Sequence, residues 1–395
     1  MISPVRIVFE EDGKMFALRR YSEALEDFSG DLLKKRSVDL KPTEKLSLFP
    51  YGPSAGGLTE SIYFSLLTSG ERIEAMNYDT SFKDRKISVS GNDIPKAVLL
   101  MERINGIHSA SYSSLFCDLI ERSSGIEVSQ EIMDLRILMM EMERISHHLF
   151  VAGRLSGGAS QNIGSMNIYL LREELLRIIG KTFGHRYFFG INKPGGTGRE
   201  IDVSNIYEKL ESIVKEYTEI YRTLMDSRIF IDRTDSTAII RDEISAGPVL
   251  RGFGKNMDGR SQHRYYNKLN VRISTVDSGD SLARYVVRSE EIFSSWEIIK
   301  KILERNSRFK IMEEVKMDKI QGTGEKISGY METPSGDLSM IVSVRSGKIS
   351  FFKYSSPSLW NLRVFADAMK GNNFADFYFG LESLGLCVSE TGDIR

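Results

Sequence analysis

Residues 101–111 read MERINGIHSAS and lie between two segments whose apolar residues follow a helical pattern. Gly106 interrupts this pattern, and Asn105 and His108 stand three positions apart around it. At this spacing both side chains can face one cavity between the two helices. In a metalloenzyme they would occupy ligand positions, but neither side chain is a thiol. The functional interpretation therefore depends on what this pair of side chains binds.

Composition and charge argue against several classes of protein. The 53 basic and 54 acidic residues among 395 give a net charge of −1, which is not typical of a nucleic-acid-binding protein. Two cysteines, Cys117 and Cys387, cannot form a disulfide framework or a thiolate metal site by themselves, and they favour a reduced, cytoplasmic setting. We expect no secretory signal, and no run reaches the roughly 18 apolar residues of a membrane-spanning helix. Any membrane contact is therefore expected through partner subunits.

Residues 1–90 are predicted to form a β-rich region packed on the core. Asp12-Gly13 and Ser69-Gly70 each separate two apolar runs, which is typical of a hairpin. The polar, aperiodic stretch 26–50 predicts a loop.

A helical pattern dominates residues 91–325, which we predict to form the bundle core. The predicted helices start at Asp93 and end near Arg103, run from Ser111 to Gly125, cover 131–152 and 206–224, and start again near Asp280. Residues 326–395 return to strands, with a hairpin at Ser346-Gly347, a helix from Pro357 and a short helix before Cys387. The sequence thus predicts an α+β fold in one large domain, with a predominantly helical bundle core and small antiparallel sheets from both terminal regions.

The glycine-rich segment 190–200, GINKPGGTGRE, does not predict a nucleotide site. A phosphate-binding loop needs Lys and then Ser or Thr after its last glycine, and no such Lys follows Gly195-Gly196. A dinucleotide fingerprint needs a surrounding βαβ unit, which the pattern lacks. We interpret the segment as a structural turn whose backbone approaches a partner or a cavity.

Glu141, Arg144 and His148 lie at positions i, i+3 and i+7 of a predicted helix, beside its apolar stripe. Charged groups near a core must be paired to offset the cost of desolvation. The residues alone therefore favour a structural ion pair with a hydrogen-bonded histidine, while a proton-handling role stays open. The five histidines include no H-E-x-x-H pattern and no G-x-S-x-G elbow is present, so a hydrolase is not indicated.

Several segments resemble, in order, the large-subunit family that membrane-bound (group 4) nickel–iron hydrogenases share with the D subunit of NADH:quinone oxidoreductase, complex I. MERINGIHS is similar to the E-R-x-C-G-x-C motif, and EMERISHHL to E-x-x-R-x-x-x-H-L. The other similar segments are YGPSAGG at 51–57, NKPGGTGREI at 192–201, GPVLRGFG at 247–254, GDSLARYVVRSEE at 279–291, METPSGDL and SSPSLWNL. The resemblance spans about residues 50–390. It implies the bundle fold predicted above, with a site at the bundle edge facing an iron–sulfur small subunit.

In the hydrogenases of this family four thiolates hold nickel and iron. The corresponding positions here are Asn105, His108, Cys387 and Glu390, so three of the four thiolates are absent. The resemblance therefore implies neither a nickel–iron centre nor a hydrogenase. It points instead to complex I, where the vacated cavity takes a quinone head group.

The chain also departs from the quinone-binding pattern. The family's quinone-facing His and Tyr are replaced by Ala55 and Gly106, and its relay Glu and a basic residue by Ser88 and Ser335. By resemblance, the candidate catalytic residues are His108, Tyr112, Glu141 and His148, and the candidate acceptor-binding residues are Asn105, Ser54 and Arg85.

Three interpretations remain open at this point. The cavity binds a quinone or another small oxidant, such as a sulfur compound; or it is vestigial in a structural subunit; or the four former ligand positions form an altered metal site. The last is disfavoured because an Asn ligand is unusual. The first is favoured because further family positions are retained, namely Arg85, Arg251, Asp280, Arg284 and Arg288.

We therefore predict a peripheral subunit on the cytoplasmic side of a membrane-associated, complex I-like oxidoreductase. It would form a quinone-type acceptor cavity beside an iron–sulfur small subunit and would bind no cofactor of its own. NADH would bind another subunit of such an electron-transport complex, and no nucleic acid is expected as a partner.

Overall fold

The computed structural model describes residues 4–29, 38–56, 58–83, 85–306, 308–309 and 320–392. The α-helices of this part are α1 (Ile94–Ile104), α2 (Ser109–Ser123), α3 (Gln130–Gly158), α4 (Asn162–Phe183), α5 (Tyr207–Met225), α6 (Arg228–Thr234), α7 (Gly247–Arg251), α8 (Ser281–Arg305), α9 (Pro357–Ala368) and α10 (Phe377–Glu382). The strands are β1 (Val5–Glu11), β2 (Lys14–Arg19), β3 (Leu25–Asp27), β4 (Ser47–Tyr51), β5 (Tyr63–Ser69), β6 (Arg72–Asp79), β7 (Asn192–Lys193), β8 (Gly196–Thr197), β9 (Ile201–Asp202), β10 (Arg308–Phe309), β11 (Thr323–Thr333), β12 (Gly336–Arg345) and β13 (Lys348–Ser355). The predicted α+β fold is confirmed.

Helix α3 is the centre of the bundle and packs against α2, α4 and α8. Its residues Leu135, Leu138 and Ile145 recur at helical spacing and are fully buried. Each such side chain stabilises the fold by about 1.5–3 kcal/mol when it leaves water. The side chains of Asp93 and Asp280 cap the N-termini of α1 and α8, which confirms both predicted helix starts.

Small antiparallel sheets surround the bundle, and the larger ones have the strand orders β1-β2-β3, β4-β5-β6 and β11-β12-β13. The hairpins predicted at Asp12-Gly13, Ser69-Gly70 and Ser346-Gly347 are confirmed. In the first and third turns both residues have positive φ, as the right-handed twist of a tight hairpin requires. The β11-β12-β13 sheet lies on α2 and so forms one wall of the region around residues 105–112.

The predicted loop at 26–50 is wrong in part, because β3 overlaps its first residues and β4 overlaps its last ones. β4 lies at the edge of its sheet, where the missing N–H of Pro50 is tolerated. Residues 30–37 lie outside the described residues. Helix α4 was not anticipated, and α3 continues to Gly158, beyond the predicted end at 152.

In the described part of the chain, no helix combines the length and the apolar character needed to cross a membrane.

Candidate functional site

The break between α1 and α2 turns two polar side chains inward. Asn105 follows the last residue of α1, and its carbonyl accepts a hydrogen bond from the His108 amide at 3.0 Å. His108 directly precedes α2. Both residues are 0% exposed. The Gly-containing turn therefore places the pair in the interior, as the spacing predicted.

Glu143 on α3 fixes the start of α2. The His108 side chain does not cap the helix. Instead the Glu143 carboxyl group accepts hydrogen bonds from the amides of Ala110 at 2.7 Å and Ser111 at 3.2 Å, and from the Ser111 hydroxyl. Burial raises the pKa of Glu143 to about 8, while these donors at the helix N-terminus oppose the shift. Glu143 therefore helps to position His108 and the first turns of α2.

Two donors converge on one oxygen of Glu390. Its Oε2 accepts hydrogen bonds from Asn105 Nδ2 at 2.6 Å and from the Tyr112 hydroxyl at 2.7 Å. Its Oε1 accepts from the Ser358 amide at 3.2 Å. Burial raises the pKa of Glu390, although these donors oppose the shift. We call Asn105, His108, Tyr112 and Glu390 the Asn105 cluster.

A chain of hydrogen bonds leads from this cluster into α3. Asn105 Nδ2 is 2.9 Å from His108 Nδ1, His108 Nε2 is 3.0 Å from His147 Nδ1, and His147 Nε2 is 3.2 Å from Ser335 Oγ. The Ser335 hydroxyl donates to the Gly385 carbonyl at 2.7 Å. Because an amide NH₂ can only donate, the geometry assigns a proton to Nε2 of both histidines. We call His108, His147 and Ser335 the histidine chain.

The two histidines of this chain are neutral. Burial lowers the pKa of His108 well below its ordinary value, and the Arg144 guanidinium acts in the same direction. Burial likewise lowers the pKa of His147, helped by His108 and Arg288. A neutral imidazole can donate through one nitrogen and accept through the other, so each link of the chain is satisfied.

Glu141 lies in a different environment. Its carboxylate accepts hydrogen bonds from Tyr266 at 2.6 Å and from Ser295 at 2.6 Å. It also pairs with Arg260 at 3.1 Å and with Arg144 at 3.3 Å. Burial raises the pKa of Glu141, but the two guanidinium groups outweigh it, so the pKa lies below its ordinary value. Glu141 is therefore held as a carboxylate.

His148 belongs to the same ionic region. Its Nε2 is 2.8 Å from Oε2 of Glu291, which in turn pairs with Arg251 at 2.7 Å. Burial lowers the pKa of His148 to about 3, with Glu291 opposing the shift. We call the connected set the ionic core: Glu141, Arg144, His148, Arg251, Asp258, Arg260, Glu291 and Glu332.

The predicted site residues therefore separate into groups. Asn105, His108 and Tyr112 come together, whereas Glu141 and His148 lie in the ionic core. Ser54 and Arg85 are exposed, and Arg85 Nη1 donates to the Arg103 carbonyl at 2.8 Å rather than to the cluster.

The sequence interpretation missed His147 and Glu143 as neighbours of the cluster. Both lie on α3 between the motif residues Glu141 and His148. One signal was available in the sequence. Residues one or two positions apart on a helix point to different sides, so Glu143 and His147 could be expected to face other surroundings than Glu141 and His148.

The former metal-ligand positions do not fit a nickel–iron centre. Burial raises the pKa of the Cys387 thiol to about 12, and Cys387 Sγ lies 3.1 Å from the Ser389 hydroxyl. The Asn105 amide group already donates hydrogen bonds to Glu390 and to His108. Among the described residues, no three His, Cys, Asp or Glu side chains are grouped so that they could hold a metal ion.

Comparison with known proteins agrees with the resemblance seen in the motifs. The family model described as respiratory-chain NADH dehydrogenase, 49 Kd subunit, matches residues 162–326. The membrane-bound hydrogenase subunit alpha of Pyrococcus furiosus is 26% identical over 384 residues, covering 89% of this chain and 88% of that protein. A D subunit of the NADH-quinone oxidoreductase of Chloroherpeton thalassium is 24% identical over 422 residues, covering 96% of this chain and 94% of that protein.

The fold has a solved counterpart. A chain of the membrane-bound sulfane sulfur reductase, an archaeal respiratory membrane complex, superposes with a TM-score of 0.82 at 20% identity, covering 89% of this chain and 100% of that one. The sequence matches thus confirm the resemblance to membrane-bound hydrogenase subunits and to the D subunits of NADH:quinone oxidoreductases, and the solved structure shows the same fold.

Proposed function

We propose that this chain is a subunit of a membrane-bound oxidoreductase complex and that its Asn105 cluster binds the carbonyl oxygen of a quinone-type acceptor. The names of the relatives, a membrane-bound hydrogenase subunit and NADH-quinone oxidoreductase subunits, support the membrane-complex part of the proposal. The geometry of the cluster supports the acceptor part.

The observation that carries the proposal is the pair of donors on one oxygen. Asn105 Nδ2 and the Tyr112 hydroxyl lie 2.6 and 2.7 Å from Glu390 Oε2. A carbonyl oxygen has two lone pairs and accepts two such hydrogen bonds. The Glu390 carboxylate thus occupies the position that an acceptor oxygen would take, and the acceptor would bind by displacing it.

The histidine chain holds the Asn105 amide in place. Reduction of a quinone to a quinol takes two electrons, which an iron–sulfur partner subunit would supply, and two protons. An amide does not relay protons, and the Asn105 amide lies between Glu390 Oε2 and His108 Nδ1. The histidine chain would therefore orient the Asn105 donor through His108 and His147, and the two protons would reach the acceptor from a source outside it.

Turnover of the purified complex tests the proposal. We expect Tyr112→Phe to lower quinone-analogue reduction roughly tenfold, because a hydrogen bond to a polar acceptor contributes about 1.5 kcal/mol. His108→Ala should also lower it, because the Asn105 NH₂ group then loses one of its two hydrogen-bond partners. Tyr207→Phe, on the exposed start of α5, is the matched control and should leave turnover unchanged. Wild-type rates in assembled Tyr112→Phe and His108→Ala complexes would contradict the proposal.

One observation favours a structural role as the second candidate. The side chains of Asn105, His108 and Glu390 already satisfy one another inside the chain. A structural subunit predicts that cluster variants change assembly while turnover per assembled complex stays constant. Polysulfide in the same assay tests a sulfur compound as the acceptor. The name of the sulfane sulfur reductase with the similar fold suggests such an acceptor. The neutral Cys387 thiol does not favour it, because a thiol is a weaker nucleophile than a thiolate.

The partners follow from the same proposal. The complex would contain an iron–sulfur small subunit beside the Asn105 cluster. The chain would lie on the cytoplasmic side, with membrane contact made through partner subunits.

A further inference from the structure

We propose that Glu102 is a buried proton-binding site that fastens segment 190–197 to α1. This inference does not depend on the acceptor proposed above. Glu102 lies on α1, three positions before Asn105, and its side chain contacts the glycine-rich segment. That segment was predicted from sequence to bring its backbone close to a cavity or a partner.

The carboxyl group of Glu102 is only half satisfied. Its Oε1 accepts a hydrogen bond from the Gly190 amide at 2.8 Å. Its Oε2 has no hydrogen-bond partner among the described residues, and the side chain is 0% exposed. Leaving an ionised carboxylate oxygen buried without a donor is costly. A proton on Oε2 removes the charge and turns this oxygen into a donor.

A second carboxyl group on the same segment shows what Glu102 lacks. Glu121 accepts a hydrogen bond from the Gly195 amide at 2.7 Å, much as Glu102 accepts one from Gly190. Glu121 is also bound by both Arg136 Nη atoms, at 2.6 and 2.8 Å. Two buried carboxyl groups thus bind two amides of one segment, and of the two only Glu121 has a guanidinium partner.

The charges around Glu102 do not replace that partner. On α1 the Arg103 guanidinium lies 3.7 Å from the centre of the Phe189 ring, on an exposed side chain. On α2 the facing groups are Cys117, whose pKa burial raises, and Glu121, and Arg136 of α3 is bound to Glu121. Burial raises the pKa of Glu102 to about 7, while the Gly190 amide and Arg103 oppose the shift.

The segment itself contains a second buried acceptor. Asn192 donates through Nδ2 to Ser113 at 2.8 Å and to Ser114 at 3.0 Å, but its Oδ1 has no partner among the described residues. With Glu102 ionised, one negative charge and two unsatisfied acceptors are buried between α1, α2 and this segment. With Glu102 protonated, the charge is absent while the Gly190 amide still bonds to Oε1. Loss of the proton should therefore lower the stability of the fold, although the Gly190 bond itself favours the ionised form.

Infrared spectroscopy of the full chain tests the site without any assay of activity. A protonated buried carboxyl group gives a C=O stretching band that shifts in D₂O. Glu143 and Glu332, whose pKa values burial also raises, contribute bands in the same region. We therefore expect the wild-type minus Glu102→Gln difference spectrum to contain one protonated carboxyl band at pH 6, and this difference band to disappear on titration through about pH 7. The exposed Glu208→Gln variant is the control, and its difference spectrum should contain no such band. A Glu102→Gln difference spectrum without this band, or with a band that does not change with pH, would overturn the proposal.

Thermal unfolding provides the second measurement. A carboxyl group whose pKa is higher in the folded chain makes its full contribution to stability below its unfolded pKa and loses it as pH rises through the folded pKa. The wild type should therefore lose Tm relative to Glu102→Gln between about pH 4.5 and pH 7. A pH-independent difference in Tm would contradict a proton site.

Discussion

Two neighbouring regions of the interior hold their polar groups in different ways. In the ionic core, each buried carboxylate faces guanidinium groups, as Glu141 faces Arg144 and Arg260. In the Asn105 cluster and the histidine chain, neutral amide, imidazole and hydroxyl groups bond to one another and to Glu390. Hydrogen bonds between neutral groups can be exchanged for bonds to a ligand at a small net cost in free energy. Removing one partner of a buried ion pair destabilises the fold strongly, because the other charge is left buried without a partner.

His147 and His148 show how sharply the two regions are separated. They are adjacent on α3, and their ring centres are 6.0 Å apart. His147 joins the histidine chain, while His148 bonds to Glu291 of the ionic core. The motif residues Glu141 and His148 thus serve the region that resists change, and the residue beside them serves the region that we propose as the site.

The largest effect is expected in the ionic core. Glu141→Gln keeps the shape of the side chain but leaves Arg144 and Arg260 without their shared carboxylate. Breaking a buried ion pair in this way destabilises a protein by about 3–5 kcal/mol. Urea denaturation of the variant measures this loss, with exposed Glu208→Gln as the control. A loss below about 1 kcal/mol, the size expected of a surface pair, would remove the distinction between the two regions.

An intermediate loss of stability is expected at Gly385, whose backbone contacts the histidine chain. Gly385 has φ +62°, and a Cβ there would lie 2.9 Å from His147 Nε2 and 2.7 Å from Arg288 Nη2. Gly385→Ala should cost roughly 2–4 kcal/mol, from left-handed backbone strain and overpacking together.

Gly125→Ala is the matched control for this prediction. Gly125 has φ +64° but open space around its Cβ position. It should show only the backbone strain of about 1–2 kcal/mol. Equal losses in the two variants would mean that the contact with His147 is not tight.

The smallest effect is a difference in the sign of pH dependence. The pKa of Glu141 is lowered, so its stabilisation is present above the unfolded pKa and is lost as pH falls. The pKa of Glu390 is raised by burial, so its contribution is lost as pH rises.

Unfolding free energies of Glu141→Gln and Glu390→Gln, measured against the wild type across pH, should therefore change in opposite directions. The deficit of Glu141→Gln should shrink towards acid. Glu390→Gln should gain on the wild type towards alkali. Profiles of the same sign would show that Glu390 is held as an ion like Glu141.

Local signals in the sequence predicted much of the fold. Hairpins at Asp12-Gly13 and Ser346-Gly347 and helix starts at Asp93 and Asp280 depend on short-range chemistry, and the structure has all four. Strand β4 escaped prediction because it is defined by its pairing with β5 rather than by its own pattern.

The candidate site was predicted only in part, for a related reason. The spacing of Asn105 and His108 indicated that they face inward together. The resemblance to the family identified Glu390 as one of the four former metal-ligand positions. Which polar group bonds to which depends on contacts between residues distant in sequence, such as Asn105 with Glu390 and His147 with Ser335. Neither contact leaves a periodic pattern in the sequence.

Binding of a short-chain quinone analogue to the purified complex tests the central claim most directly. If Glu390 occupies the position of the acceptor oxygen, Glu390→Ala should bind the analogue more tightly and Tyr112→Phe should bind it about tenfold more weakly than the wild type. Equal affinity in all three proteins would contradict the account, because the donor pair would then have no part in binding an acceptor.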